Sequence, residues 1–396
     1  MIDASRRTAN FDYAIRSLIT AARALEREGH KVTYLNIGDP QAFGFKPPEH
    51  IIEPVQRALR DGFTGYAPSA GLLEAREAVA SYATALGAPT SPEEVVLTSG
   101  ASEAAELALT ALVNSGDEVL VPSPGYPLYP AILSKLGVDT RYYQLNPDRG
   151  WEPSVSEVRS LINKRTRALI LINPNNPTGS VTANNTTYGL LKLASEHKVP
   201  VISDEVYREL CFTSPPASAS VMAPAISTPL ITLESLSKTH LIPGWRVGWM
   251  RFTNTERITS VVNAISKLAS GRLCSPTPTQ YAIRPALEGT KEFLGGFVQE
   301  IRKRRDYAIE RIKAISGLSS DVPSAAFYLM MRVADLKNRT DEKFALELLE
   351  KTGVLVVHGS GFGLDPFDGY FRLVYLASEE VLESTFDAIQ KLIKAR

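Results

Sequence analysis

The run Ser235-Leu236-Ser237-Lys238-Thr239-His240, followed by Gly244-Trp245-Arg246, sets a lysine between two hydroxyl side chains with an arginine shortly beyond. A lysine amine is a poor nucleophile while it is protonated. A nearby cation lowers its pKa, and the neutral amine then forms a Schiff base with an aldehyde. Serines and an arginine beside such a lysine suit a phosphate, the guanidinium in a two-pronged geometry. One cofactor carries both an aldehyde and a phosphate: pyridoxal 5'-phosphate. Its protein signature is a Schiff-base lysine plus an acidic partner for the ring nitrogen. Taken alone, the run also reads as a solvated Ser-Lys surface segment.

Other groups with compatible chemistry follow short apolar runs. Ser99-Gly100-Ala101-Ser102-Glu103 opens a helical pattern after Val95–Thr98. Exposed backbone N–H groups and a helix dipole make such a start a phosphate site, and the same groups serve a plain capping box. Asn173-Pro174-Asn175-Asn176-Pro177-Thr178-Gly179 follows Ala168–Ile172. Its prolines and glycine stiffen the loop, and an asparagine amide there can donate to a phenolic oxygen. Asp204 ends Val199–Ser203, with Tyr207 three residues on. A carboxylate at the end of a buried strand is costly unless paired, and a pyridinium N–H would pair it. Its alternative role is a helix N-cap. Tyr126, in Pro124-Gly125-Tyr126-Pro127, is a candidate to stack on a ring, or simply to pack. Gly359-Ser360-Gly361-Phe362-Gly363 lacks the spacing of a dinucleotide-binding loop. The five histidines show no metal-ligand spacing, so no metal is expected.

These residues need a scaffold that brings strand ends together. From residue 91 on, short apolar runs (95–98, 118–121, 168–172, 199–203, 230–233 and 247–250) alternate with helical patterns. Such alternation specifies an α/β unit: a mainly parallel sheet covered on both faces, with ligands at the carboxyl ends of its strands. A long charged helix over 298–315 marks a change. Strand patterns at 326–333, 354–357 and 370–375, closed by a helix over 378–394, form a smaller α+β unit, with the boundary near residue 290. Upstream, 13–28 reads as a helix and 32–37 as a strand ending in the turn Gly38-Asp39-Pro40.

The chain has 396 residues, with 43 Lys+Arg against 43 Asp+Glu, so charge gives no case for nucleic acid or an anionic membrane. Two cysteines, Cys211 and Cys274, fit a reducing compartment. With no signal-peptide core and no long apolar run, the expected location is the cytoplasm.

In this order and over nearly the whole length, the motifs resemble the class I aminotransferases of pyridoxal-phosphate fold type I. The resemblance implies that Lys238 is the Schiff-base lysine. Ser235 and Arg246 match phosphate ligands, with Ser237 beside them, and Gly100, Ala101 and Ser102 match the phosphate loop. Tyr126 matches the ring-stacking aromatic, Asn176 and Tyr207 the donors to the phenolic oxygen, and Asp204 the pyridinium partner. Tyr66, in Gly65-Tyr66-Ala67-Pro68, is similar to the tyrosine that reaches the neighbouring subunit's phosphate, which implies a homodimer with shared sites. Arg372 matches the arginine that clamps the substrate α-carboxylate, and Gly38 a backbone position facing it. The family also implies that residues 1–45 join the small unit and cover the active site, with 46–290 the large cofactor-binding domain and 291–396 the small one. The activity implied is ping-pong transamination between an amino acid and a 2-oxo acid, with Lys238 shuttling the proton.

The segments Leu35–Pro40, Arg272–Cys274 and Val356–Gly363 resemble those of prokaryotic and archaeal alanine aminotransferases. That favours alanine with 2-oxoglutarate, over aspartate or aromatic substrates or a β-lyase reaction. His358 stands where many relatives have proline, and Ala325 where glycine is frequent. Tyr13 and Arg16 lie one helical turn apart, and Arg16 is the candidate to meet the distal carboxylate of glutamate.

Overall fold

The structure is a computed structural model that describes residues 2–8, 14–16 and 18–394. Its centre is an eight-stranded sheet in the order β2-β9-β8-β7-β6-β3-β4-β5. The short N-terminal strand β1 (Thr33–Tyr34) lies outside it. The sheet comprises β2 (Val95–Ser99), β3 (Glu118–Ser123), β4 (Asp139–Asn146), β5 (Glu152–Pro153), β6 (Thr166–Ile172), β7 (Val201–Asp204), β8 (Leu230–Ser235) and β9 (Val247–Thr253). The ladders from β8 through β7, β6 and β3 to β4 are parallel, while β9 runs antiparallel between β2 and β8.

Alternation along the strands explains the two helical layers. In β6, Ala168, Ile170 and Ile172 enter one apolar cluster, with Ala104, Ala108 and Leu112 of the helix Ala101–Leu112. Leu169 and Leu171 enter another on the opposite face, with Leu190, Leu193 and Ala194 of the helix Asn184–Glu196. A sheet covered on both sides needs continuous apolar strands, and β6 and β7 are buried nearly throughout.

The second sheet is antiparallel: β10 (Leu318–Ser320), β11 (Tyr328–Val333), β14 (Tyr370–Val374) and β13 (Val357–His358), in that order. Its apolar face packs with the helices Glu292–Lys313, Asp341–Thr352 and Glu379–Lys394. β1 pairs parallel with β12 (Val354–Leu355), and Val374 N–H donates to Leu35 O at 2.9 Å. The segment around residue 35 is thereby laced into the smaller sheet.

Several elements differ from the sequence reading. The 13–28 helix is a 3₁₀ turn, Ala14–Arg16, followed by a helix only from Ile19 to Arg27. The cause is visible at Ile15: its carbonyl, which a continuous helix would offer to residue 19, accepts from Asn36 Nδ2 at 2.9 Å. The strand expected from Ala326 starts at Tyr328, because Ala326 has φ +60°. The stretch 354–357 is split between two sheets, β12 with β1 and β13 with β14. Among the described residues, no helix is long and apolar enough to cross a membrane, and no His/Cys/Asp/Glu group could hold a metal.

Candidate active site

The carboxyl ends of β2, β3, β6, β7 and β8 share one edge of the large sheet, and the amino end of β9 joins them through its pairing with β2 and β8. A cleft of about 670 Å³, part of it open to solvent, lies there. Ala101 and Ser102 line it after β2, and Tyr126 after β3. Asn176 follows β6, and Asp204 ends β7 with Tyr207 just beyond. Ser235, Ser237 and Lys238 follow β8, and Arg246 precedes β9.

Gly100 precedes the helix Ala101–Leu112 with φ +78°, and a Cβ there would collide with the Arg246 guanidinium. Only glycine lets the helix start and the guanidinium share this space. Arg246 donates from Nη1 to Pro243 O at 2.8 Å and from Nη2 to Ser99 O at 2.9 Å, which fixes its plane beside the helix N-terminus. Ser235 Oγ accepts from Ser237 N–H at 2.9 Å. A guanidinium, two serines and the amides of a twelve-residue helix make an anion cradle.

Lys238 is part-buried and donates from Nζ to Gly38 O at 2.6 Å. Burial pulls its amine down from 10.5 to about 8; Asp39 opposes this, and Arg372 and Arg246 add to it. Gly38 is hemmed in, since a Cβ there would lie 2.5 Å from both Phe327 Cε2 and Tyr328 Oη.

Asp204 is buried. It accepts from Tyr129 Oη at 2.8 Å on Oδ2 and from Val206 N–H at 3.3 Å on Oδ1. Burial pushes its carboxyl up to about 6 against the downward pull of those two donors. No ion pair to Asp204 occurs among the described residues. A carboxylate placed this way, at the floor of a cleft, calls for a cationic N–H donor from whatever occupies it. Tyr207 Oη lies 2.7 Å from Tyr328 Oη, and burial pushes the Tyr207 phenol well above its usual range, so it keeps its proton.

Arg372, central in β14, is almost fully buried. Nη1 donates to Asn176 Oδ1 at 2.9 Å and Nη2 to Asn36 O. Its guanidinium carbon sits 4.5 Å from the Tyr328 ring centre and 4.9 Å from that of Phe362. Asn176 thus links the smaller sheet to the cleft. Its loop is laced by Asn173 Nδ2 to Thr182 O at 3.1 Å and Asn175 Nδ2 to Thr178 Oγ1 at 2.9 Å.

Four expected residues lie elsewhere or outside the description. Tyr66 is 82% exposed and does not line the cleft. Arg16 is exposed on the 3₁₀ turn. Tyr13 lies outside the described residues. Gly38 contributes its carbonyl rather than lining the floor. Of the unusual positions, Ala325 is buried with its N–H on Gly179 O, and His358 Nδ1 lies 2.8 Å from Ser360 Oγ; neither lines the cleft. His240 is turned to Ala286 O, with burial pulling its imidazole down to about 4. Sequence reading missed Tyr129, Asn36 and Tyr328. Tyr129 had one available signal, its place one helical turn after Tyr126.

Residues 30–389 match the family model described as aminotransferase class I and II. The chain belongs to the class I and II aminotransferases. It is 35% identical to the glutamate-pyruvate aminotransferase AlaA of Escherichia coli, over 99% of this chain and 98% of that protein. It is 36% identical to an alanine aminotransferase of Mycobacterium tuberculosis, over 90% of this chain and 84% of that one. Among solved structures, an alanine aminotransferase from Pyrococcus furiosus superposes over the full length of both chains with TM-score 0.96 at 37% identity. An aspartate aminotransferase from Thermus thermophilus with maleate gives TM-score 0.89 at 32% identity, over 99% of this chain and 100% of that one. The aminotransferase therefore has the aspartate aminotransferase type of α/β fold, and its family implies pyridoxal phosphate. The residues lining the cleft fit that group: Ser102, Ser235, Ser237 and Arg246 suit an anion, Lys238 an aldehyde, and Asp204 is a buried carboxylate with no ion pair among the described residues.

Proposed function

We propose that this enzyme transfers the amino group between alanine and 2-oxoglutarate, giving pyruvate and glutamate, with pyridoxal phosphate carried on Lys238. The observation that carries the reading is the convergence of three groups. Lys238 Nζ reaches Gly38 O, Asp204 lies buried with no ion pair among the described residues, and Arg372 is joined to the cleft through Asn176. The alanine preference rests on similarity to enzymes named for that reaction over nearly the whole chain.

When bound, the cofactor supplies an aldehyde and a protonated ring that withdraws electrons from the substrate Cα. Gly100, Ala101, Ser102, Ser235, Ser237 and Arg246 would hold its phosphate, and Tyr126 would face its ring. Asn176 and Tyr207 would donate to its phenolic oxygen. Asp204 would hold the ring nitrogen's proton, and Tyr129 keeps that carboxylate oriented. Arg372 would bind the substrate α-carboxylate, with the Gly38 backbone beside it. Its guanidinium is already held by Asn176 Oδ1 and Asn36 O and lies over the Tyr328 and Phe362 rings, so little ordering remains to be done on binding. Lys238 Nζ would take the proton from the substrate Cα. With a pKa near 8, roughly a tenth of the amine is neutral at pH 7, and the burial that lowers the pKa also excludes water from the transfer.

The same reading extends to assembly, location and division of the chain. Leu59, Phe63, Tyr66, Leu73 and Leu273 carry exposed apolar surface, with Phe63 stacked on Tyr281 at 5.4 Å. A second copy would cover it and place Tyr66 at the neighbour's phosphate cradle. Both cysteines are free, in keeping with the cytoplasm. The proposed division is 1–45, 46–290 and 291–396; the separate eight- and four-stranded sheets support the second and third, and the pairing of β1 with β12 and the Val374 N–H bond to Leu35 O support joining the first to the third. Arg16, on the turn Ala14–Arg16, is the candidate for the distal carboxylate of glutamate, and Tyr13, outside the described residues, is proposed with it.

The test is product formation with the loaded enzyme. Alanine should yield pyruvate only when an oxo acid is supplied, with 2-oxoglutarate ahead of oxaloacetate. Pyruvate released from cysteine conjugates without an oxo acid would favour a β-lyase instead.

A further inference from the structure

Tyr328 does not line the cleft, but its hydroxyl meets a residue that does. Tyr207 Oη and Tyr328 Oη lie 2.7 Å apart, with both side chains buried. Backbone contacts bring the two phenols together. Ala326 N–H donates to Leu210 O at 2.9 Å and Phe212 N–H to Ser324 O at 3.0 Å, which stitches the start of β11 to the segment after Tyr207. The register of β11 against β14 sets Tyr328 opposite Val374 and Met330 opposite Arg372. Tyr328 and Arg372 are therefore diagonal neighbours on one face of the smaller sheet, and the guanidinium carbon stands 4.5 Å from the Tyr328 ring centre. The hydroxyl also crowds Gly38, whose carbonyl accepts from Lys238 Nζ: a Cβ there would lie 2.5 Å from Tyr328 Oη.

A phenol has one proton to donate. Only one of the two oxygens can supply the proton on their 2.7 Å contact. If the Tyr207 proton points into the cleft, the proton between the phenols must come from Tyr328. A hydroxyl that accepts a hydrogen bond donates its own proton more strongly, so a chain from Tyr328 through Tyr207 to an acceptor in the cleft is cooperative. The cation over the Tyr328 ring favours loss of negative charge density from that phenol and strengthens the first donor. The titratable groups acting on Tyr207 are Tyr328 and Arg372 of the smaller sheet and Tyr126 from the loop after β3.

We propose that Tyr328 is a positioning residue: its hydroxyl donates to Tyr207, commits the Tyr207 proton to the phenolic oxygen of bound pyridoxal phosphate, and strengthens that donation. The inference rests on Tyr207 facing that oxygen. A donor on the oxygen favours its anionic form, and so loosens the proton the oxygen shares with the Lys238 nitrogen. The ring and the hydroxyl of Tyr328 have separate tasks: the ring bears on Arg372, the hydroxyl on Tyr207.

The experiment loads wild type, Tyr328→Phe, Tyr207→Phe and the double variant with pyridoxal phosphate and titrates the visible absorption band against pH. Tyr328→Phe keeps the ring under Arg372 and removes only the oxygen. The expected result is a midpoint raised by about half a pH unit, roughly a threefold change in the proton equilibrium. The same substitution in the Tyr207→Phe background should leave the midpoint within about 0.2 pH unit, because the hydroxyl through which Tyr328 acts is gone. Cofactor dissociation constants for the four proteins form a second cycle, in which the loss from Tyr328→Phe should likewise vanish in the Tyr207→Phe background. An unshifted midpoint in Tyr328→Phe, or a shift or affinity loss that persists without the Tyr207 hydroxyl, would overturn the proposal. A Tyr207→Phe enzyme that titrates like wild type would instead overturn the reading of Tyr207 on which the proposal rests, whatever Tyr328→Phe shows.

Discussion

Replacing Asp204 by asparagine should make the cofactor-free protein more stable and the enzyme useless. The carboxyl is raised from 3.8 to about 6 by burial. Its folded pKa therefore lies above its unfolded one, and between the two the folded state holds the proton more tightly. The favourable contribution is complete below about pH 4 and is lost as pH rises through about 6. At 1.36 kcal/mol per pH unit, wild type should lag Asp204→Asn by about 1.5 kcal/mol at pH 5 and about 3 kcal/mol at pH 8, as an upper figure. Asparagine keeps one oxygen for the Val206 N–H and turns its Nδ2 to the Tyr129 oxygen, so the growth of the gap with pH, rather than its size, isolates the charge. The assay is denaturant unfolding of both cofactor-free proteins across pH 5 to 8, followed by reconstitution. The loaded variant should lose most of its rate, because its neutral amide cannot hold a pyridinium proton. A stability gap that does not grow with pH, or a variant less stable than wild type at pH 8, would refute the reasoning.

Other expectations concern the same cleft. The Lys238 amine reacts with an aldehyde only when neutral, so the rate of cofactor capture by the empty enzyme should rise through about pH 8 and then level off; a rise continuing to 10.5 would contradict the burial effect. Tyr129→Phe removes a donor that pulls the Asp204 pKa down. The pH at which cofactor binding weakens on acidification should move up, and affinity at neutral pH should fall by about 10-fold, equivalent to roughly 1.4 kcal/mol. Tyr66→Ala and Lys238→Ala subunits, each nearly inactive alone, should regain roughly a quarter of wild-type activity when mixed and reassembled, because half the dimers would then carry one complete site. Failure to regain any activity would argue against a shared site.

Much of this cleft was legible because it sits at strand ends. The runs 168–172 and 199–203 are continuously apolar, so the polar residues that follow, Asn176 and Asp204, had to emerge at the sheet edge. The Lys238 run and Arg246 were legible from their residue types and spacing alone. Contacts made across the fold were not. Tyr129 meets Asp204 across 75 positions, and Asn36 meets Ile15 through a side-chain amide that no periodicity encodes. The second of these also broke the expected N-terminal helix. Strand β4, with alternating partly exposed residues at the sheet's outer region, gave no continuous apolar signal. The helix Leu73–Ala85 is rich in alanine, which packs tightly but marks no strong apolar stripe.

The most direct test of the whole account is a half-reaction screen. Each amino acid is added singly, without an oxo acid, to the cofactor-loaded enzyme, and the loss of the aldehyde-form absorption is timed. Alanine and glutamate should discharge the band fastest, each releasing one equivalent of its oxo acid per site, and Lys238→Ala should not respond at a comparable rate. Fastest discharge by aspartate or an aromatic amino acid, or an unimpaired Lys238→Ala enzyme, would contradict the account.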